Sequence, residues 1–176
     1  KEKFDFNKIL LKNAEINFNY KDLAKYKKLY KKNIYPKSVN LVKGKIKFSE
    51  GDKYISTIDN ANIKYRSNDK STNTVLKGKF LNDKIYINLK SKKDKNSSKV
   101  FTLKLSNINL FSKIETFKSE LDKETIGGKI LLKKEKSKFA GVFDYKDSQI
   151  ILKHINLRNS FLDGKLNGIV NFFPYF

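Results

Sequence analysis

The chain has 176 residues, of which 39% are hydrophobic and 13% aromatic, and its formal net charge is +21. A chain of this length normally forms one domain or part of a repeat array. The absence of cysteine excludes disulfides and thiolate metal sites, and no run approaches the ~20 apolar residues of a membrane-spanning helix.

The positive charge comes almost entirely from lysine. Of the 39 basic residues, only Arg66 and Arg158 are arginines. Nucleic-acid-binding surfaces favour arginine, because its guanidinium group makes bidentate contacts. A solvated lysine-rich surface is therefore the simplest interpretation, with anionic lipid headgroups and nucleic acid as alternative partners.

The first two predicted elements are a strand and a short helix. Residues 13–20 alternate between polar and apolar, which is the period of a β-strand. Residues 22–32 instead place their apolar side chains on one helical face, with Asp22 as a suitable N-cap. Asn33 and Pro36 are typical stop signals. The apolar stripe of this helix consists of Leu23, Tyr26 and Tyr30.

The middle of the chain continues the alternation in strands that turn signals separate. Residues 49–52 form one predicted turn, and Asn82 with Asp83 forms a two-residue link suited to a tight hairpin. One-sided strands are typical of antiparallel sheets with one solvated side. We therefore predict a mainly β fold, a curved antiparallel sheet of amphipathic hairpins with one or two short helices. The alternating segments are 42–48, 60–65, 84–90 and 101–105.

A second helix is predicted from Ser112, which forms a capping box with Glu115. The pair Gly127-Gly128 ends it, and alternation then returns in 139–157 and 164–172. Residues 1–176 are predicted to be a single segment of an extended β-repeat region, without a separate second domain. The apolar stripe of this second helix consists of Ile114, Phe117 and Leu121.

The sequence contains no recognisable catalytic or metal-binding centre. His154 is the only histidine, so a zinc site or a catalytic triad lacks partners. Carboxylates such as Asp52, Asp83 and Asp147 fall at predicted turns, where aspartate is favoured. Residues 127–129 lack the spacing of a phosphate-binding loop. We therefore expect a non-enzymatic protein that needs no metal or cofactor.

Four runs of the chain share a strand–turn–strand pattern or the link between two such patterns. They are 58–65, 76–87, 105–111 and 139–172, the last containing Leu-Asp-Gly-Lys-Leu-Asn-Gly at 162–168. Together they resemble the AsmA-like and TamB-like proteins of Gram-negative envelopes, particularly the C-terminal repeat region of that family. The family is defined by this pattern, and it has no catalytic motif to compare.

The resemblance implies a place and a function. Proteins of this family are held in the inner membrane by one N-terminal helix and extend a twisted β-groove into the periplasm. Its apolar interior shields phospholipid acyl chains in transit to the outer membrane. By resemblance, this chain is a periplasmic segment of a longer protein, tethered to the inner membrane through a part outside it. It would serve lipid transport and membrane biogenesis in the cell envelope.

The implied partners are phospholipid acyl chains and the remainder of the same long chain, with anionic headgroups near the lysines. The groove would be lined by the apolar phase of the strands, although each of these side chains could equally belong to an ordinary core. The predicted lining residues are Ile46, Phe48, Ile63, Tyr65, Ile85, Ile87, Leu89, Phe101, Leu103, Phe143, Leu166 and Val170.

Two other classes of protein share the alternation. A basic β-domain that binds nucleic acid or another polyanion would account for the charge, but its aromatic residues would be expected among the lysines. A fragment of an outer-membrane β-barrel would need strands of ~9–11 residues with aromatic girdles. Both classes stay open on the sequence alone, as does the choice between an open groove and a closed core.

Overall fold

The computed structural model describes residues 8–30, 37–93, 97–118, 122 and 124–171. Within these ranges the chain forms twelve β-strands and one short α-helix. The prediction of a mainly β fold is confirmed. The chain divides into two compact units, Lys1–Ile87 (unit 1) and Asn88–Phe176 (unit 2).

Unit 1 is built on strands that pair in two directions. β3, β4 and β5 pair antiparallel in sequence order, whereas β1 and β2 pair parallel with β3. A 3-10 turn (Tyr20–Asp22) and helix α1 (Leu23–Tyr30) connect β2 to β3. The strands are β1 (Lys8–Lys12), β2 (Glu15–Asn19), β3 (Ser38–Glu50), β4 (Lys53–Ser67), β5 (Ser71–Phe80) and β6 (Asp83–Lys92), of which β6 continues into unit 2.

The parallel pairing of β1 and β2 with β3 was not predicted. It explains why a helix lies between β2 and β3. Two parallel neighbours need a crossover connection, and α1 lies in the connection between β2 and β3. The helical segment is capped by Asn19, whose side chain accepts a hydrogen bond from the Lys21 N–H at 3.0 Å. Asp22, the predicted cap, instead pairs with Lys25 at 2.7 Å. The predicted stop signals, Asn33 and Pro36, lie outside the described residues.

Unit 2 is an antiparallel meander in which every strand pairs with the next one along the chain. This arrangement agrees with the predicted antiparallel hairpins. The strands are β7 (Lys99–Leu105), β8 (Leu110–Lys118), β9 (Ile126–Lys134), β10 (Ser137–Lys146), β11 (Gln149–Arg158) and β12 (Asp163–Asn171).

The predicted second helix, beginning at Ser112, is wrong. Residues Leu110–Lys118 form β8, which pairs with β7 on one edge and β9 on the other. Hydrogen bonds on both edges outweigh a capping box, and Ile114 and Thr116 are β-branched residues that favour strands. Leu121, from the predicted apolar stripe, lies outside the described residues.

The glycine pair that was predicted to end this helix lies inside β9. A Cβ added at Gly127 would lie 2.6 Å from Phe117 Cε2, and one added at Gly128 would lie 2.5 Å from Phe143 Cε1. Two phenylalanine rings therefore pack on opposite faces of the sheet where these glycines leave room. The pair is required for close packing in the sheet and does not mark a chain turn.

Each unit contains a strand with a β-bulge. The bulged residue has a positive φ, and its backbone N–H donates a hydrogen bond to an asparagine side chain. Lys43 in β3 has a φ of 53°, and its N–H donates to Asn62 Oδ1 at 3.2 Å. His154 in β11 has a φ of 50°, and its N–H donates to Asn167 Oδ1 at 2.8 Å. The strand register shifts at both positions. The asparagines thus satisfy donors that the bulges remove from the regular ladder.

We expect Asn167→Ala to lower the free energy of unfolding by about 1 kcal/mol, because it removes the acceptor for the His154 N–H. Urea unfolding followed by far-UV circular dichroism measures this change. Asn171→Ala, at the exposed end of the same strand, is the matched control and should change stability by less than ~0.5 kcal/mol. Equal losses in the two variants would contradict the role assigned to Asn167.

Candidate functional site

The strand register of unit 2 assigns each of its side chains to one of two faces, because directly paired residues lie on the same side of a sheet. Phe101 in β7 pairs with Ile114, which in turn pairs with Ile130 and then Gly141. We call this side the apolar face of unit 2. Its apolar side chains are Phe101, Leu103, Leu105, Leu110, Ile114, Ile126, Ile130, Leu132, Phe139, Phe143, Tyr145, Ile150, Leu152, Ile155, Leu157, Leu166 and Val170.

The opposite side, the charged face of unit 2, carries most of the ionic groups of the strands. Lys113 forms an ion pair with Glu115, and Lys153 forms one with Asp144. The hydrogen bond from Lys113 lowers the pKa of Glu115 below its ordinary value. The charged residues of this face are Lys104, Lys113, Glu115, Lys129, Lys133, Lys138, Asp144, Lys146, Lys153, Arg158, Asp163 and Lys165. Apolar residues lie among them, namely Phe111, Phe117, Leu131, Val142, Ile151 and Ile169.

Within the described part of unit 2, no second layer covers the apolar face. The described residues of unit 2 contain six full strands, all in one meander, and no helix. Among them only Phe143 and Ile155 are buried hydrophobic residues. Val170 is 43% exposed and Leu166 is 40% exposed. Ile126 is exposed too, and most of the other apolar side chains of this face are half-buried. Apolar surface left partly open in this way indicates a ligand or a partner.

Unit 1 has an apolar face of the same kind, which its helix covers at one end. Ile16 pairs with Ile46 and Phe18 with Phe48, so these side chains lie on one side of the sheet. Tyr26 of α1 stacks on Phe18 with ring centroids 4.8 Å apart, and its hydroxyl accepts the Asn19 N–H at 3.1 Å. The helix therefore closes part of this face with aromatic side chains.

The structure places the twelve predicted lining residues in three groups. The predicted members in β3 and β4 share the apolar face of unit 1, and those in β7, β10 and β12 share the apolar face of unit 2. The three members in β6 alternate with polar residues and so share one side of that strand. The group in unit 1 is Ile46, Phe48, Ile63 and Tyr65. The group in unit 2 is Phe101, Leu103, Phe143, Leu166 and Val170, and the group in β6 is Ile85, Ile87 and Leu89.

Exposure separates these predicted residues into structural and accessible ones. Ile46, Ile85 and Phe143 are buried, so their primary role is packing. Leu166 and Val170 are exposed and available to a ligand. The remaining members are half-buried apart from Leu89, which is exposed.

Sequence reasoning missed several residues that belong to the apolar face of unit 2. Ile114 was assigned to a helix, and Ile130 lies in β9, for which no strand was predicted. Leu152 and Ile155 are three positions apart, yet share a face because the bulge at His154 shifts the alternation by one residue. An apolar pattern that skips one position beside a histidine or asparagine would have been the signal.

The ionisable residues of the structure form no recognisable reaction centre. Across the described residues, no group of three or more His, Asp or Glu side chains is close enough to hold a metal ion. His154 is exposed and occupies the β11 bulge. No helix in the described ranges is long and apolar enough to cross a membrane.

Comparison with known proteins gives no assignment: no protein-family model, no curated protein and no solved structure matches this chain. Functional inference therefore rests on the two apolar faces and their surroundings.

Proposed function

We propose that this chain is a non-enzymatic segment of a phospholipid-binding β-groove, in which the apolar faces of the two units contact acyl chains. The observation that carries the proposal is the apolar face of unit 2, which no second layer covers among the described residues of the unit and on which Leu166 and Val170 are exposed. The resemblance to AsmA-like proteins supports a place in the periplasm and a role in moving lipid between membranes.

The chemistry of this face suits hydrocarbon. The internal strands of the meander have neighbours on both edges, so their backbone hydrogen bonds are made within the sheet. What remains on the surface is mainly aliphatic and aromatic side chains. Hydrocarbon seated there loses contact with water without leaving a polar group unpaired.

The size of the face is also appropriate for an acyl chain. Six strands spaced ~4.8 Å apart give a face roughly 24 Å across. Each methylene group removed from water contributes about 0.8 kcal/mol, so roughly ten methylenes would contribute about 8 kcal/mol. The cost of immobilising the lipid reduces this gross figure, leaving reversible binding, as transport requires.

Two adjacent residues of β12 provide a test of sidedness. Val170 lies on the apolar face and Ile169 on the charged face, and both are exposed. We expect Val170→Glu to weaken phospholipid binding roughly tenfold, corresponding to ~1.4 kcal/mol, because a carboxylate would have to be desolvated against the acyl chain. Ile169→Glu should bind lipid as the unmodified chain does.

The measurement is mass spectrometry of phospholipid bound to the delipidated chain after incubation with vesicles. A photo-crosslinking residue placed at Leu166 should capture lipid, whereas one placed at Ile169 should not. If the unmodified chain acquires no lipid, or if Ile169→Glu loses as much as Val170→Glu, the groove proposal is wrong.

A further inference from the structure

Three turns meet at one end of unit 2. They follow β7, β9 and β11 at residues 106–109, 135–136 and 159–162. The pairing of Leu110 with Lys134 and of Lys138 with Arg158 brings these turns side by side. We call this end the basic tip; it comprises Ile108, Lys134, Lys136, Lys138, Phe161 and Leu162.

In the third turn, hydrogen bonds fix the backbone of two residues whose apolar side chains are exposed. Asn159 Oδ1 accepts hydrogen bonds from the N–H groups of Phe161 and Leu162, both at 2.8 Å. The Asn159 N–H donates to the Leu162 carbonyl, also at 2.8 Å. Phe161 is nevertheless 98% exposed, and Leu162 is exposed as well. The backbone of this turn is therefore well ordered, although the Phe161 side chain contributes almost nothing to the packing of the fold.

The lysines around these apolar side chains outnumber the one unpaired carboxylate that the described residues place beside them, that of Glu135 in the second turn. None of the ion pairs among the described residues includes Lys134, Lys136 or Lys138. Arg158, in contrast, is paired with Asp163 at 2.6 Å. Lys136 and Phe161 line the same open cavity of about 340 Å³. The tip thus combines exposed apolar groups with a net positive charge.

We propose that the basic tip docks on the surface of a bilayer that contains anionic phospholipid. Phe161, Leu162 and Ile108 enter the boundary between headgroups and acyl chains, and the lysines contact headgroup phosphates. A nucleic acid would use the phenyl ring for stacking, but it offers nothing for the aliphatic Ile108 and Leu162. Charge and aliphatic exposure together therefore favour a membrane surface. Docking is separate from lipid binding on the apolar face.

The absence of tryptophan from the chain makes a direct test possible. Phe161→Trp introduces the chain's only tryptophan at the tip, which can be excited selectively in the presence of its nine tyrosines. The tryptophan emission should shift to the blue with vesicles of equimolar phosphatidylcholine and phosphatidylglycerol. Lipids brominated on their acyl chains should quench that emission. Leu81→Trp, in the exposed β5–β6 turn of unit 1, is the matched control and should show neither effect.

Two further variants test the two components of the tip by vesicle co-sedimentation. Phe161→Ser and the double variant Lys136→Glu/Lys138→Glu should each weaken vesicle binding at least about tenfold. Leu81→Ser and Lys64→Glu/Lys77→Glu make equal changes elsewhere and should leave binding unchanged. Circular dichroism establishes that each variant is folded.

The docking proposal is overturned if Phe161→Trp shows no blue shift with the anionic vesicles, or if the control variants lose as much binding as the tip variants. A shift produced by duplex DNA but not by vesicles also overturns it. Adding Val170→Glu to Phe161→Trp distinguishes the two proposals, because loss of bound lipid should leave the fluorescence shift intact.

Discussion

Gly128→Val is expected to destabilise unit 2 by about 3 kcal/mol, near the upper end for an overpacked core position. A Cβ at this position would lie 2.5 Å from Phe143 Cε1 and 2.7 Å from the backbone oxygen of Glu115. The ring could rotate or shift, but the carbonyl belongs to the paired strand β8. Relief of the clash therefore requires movement of the sheet backbone. Urea unfolding followed by far-UV circular dichroism measures the loss.

Gly168→Val is the matched control for this prediction. Gly168 lies on the same face of the same sheet, and an added Cβ would meet no atom within 4 Å. Valine favours strands, and the substitution removes conformational freedom from the unfolded chain. We expect stability to stay the same or to rise slightly. A comparable loss in both variants would mean that valine itself, and not the contact with Phe143 and Glu115, causes the destabilisation.

Ile155→Ala should have an effect of similar size, about 3 kcal/mol, within the range measured for isoleucine truncation in protein cores. Ile155 is 0% exposed although its unit has so thin a core. It fits against the place where Gly141 lacks a side chain, since a Cβ there would lie 2.5 Å from Ile155 Cδ1. Alanine would leave a cavity beside the bulge, where Gly141 has no side chain to fill it.

The control for Ile155→Ala is Ile169→Ala, which removes the same atoms from a side chain that is 62% exposed on the charged face. Its free energy of unfolding should change by less than ~0.5 kcal/mol. Thermal and urea unfolding both report the difference. If Ile155→Ala were as stable as this control, the centre of unit 2 would not be the buried contact between β10 and β11.

The alternation of single strands was readable from sequence because it is a local property. Phe101, Leu103, Leu166 and Val170 were placed correctly in one phase, and the register later brought them to one face. Which side chains of a strand point to the same side can be read from the residues of that strand alone. Which strands share a face depends on pairing, and for β8 the local signals of Ser112 and Glu115 indicated the wrong element.

The amino-acid sequence by itself determined that this protein is mainly β and that most of its strands alternate between apolar and polar side chains. Tertiary structure alone decided the parallel pairing of β1 and β2 with β3 and the phase shift at His154. It also decided the meeting of three turns at the basic tip. The physical reason is that side-chain period is set within a few residues. Pairing and bulges depend instead on hydrogen bonds between segments distant in sequence.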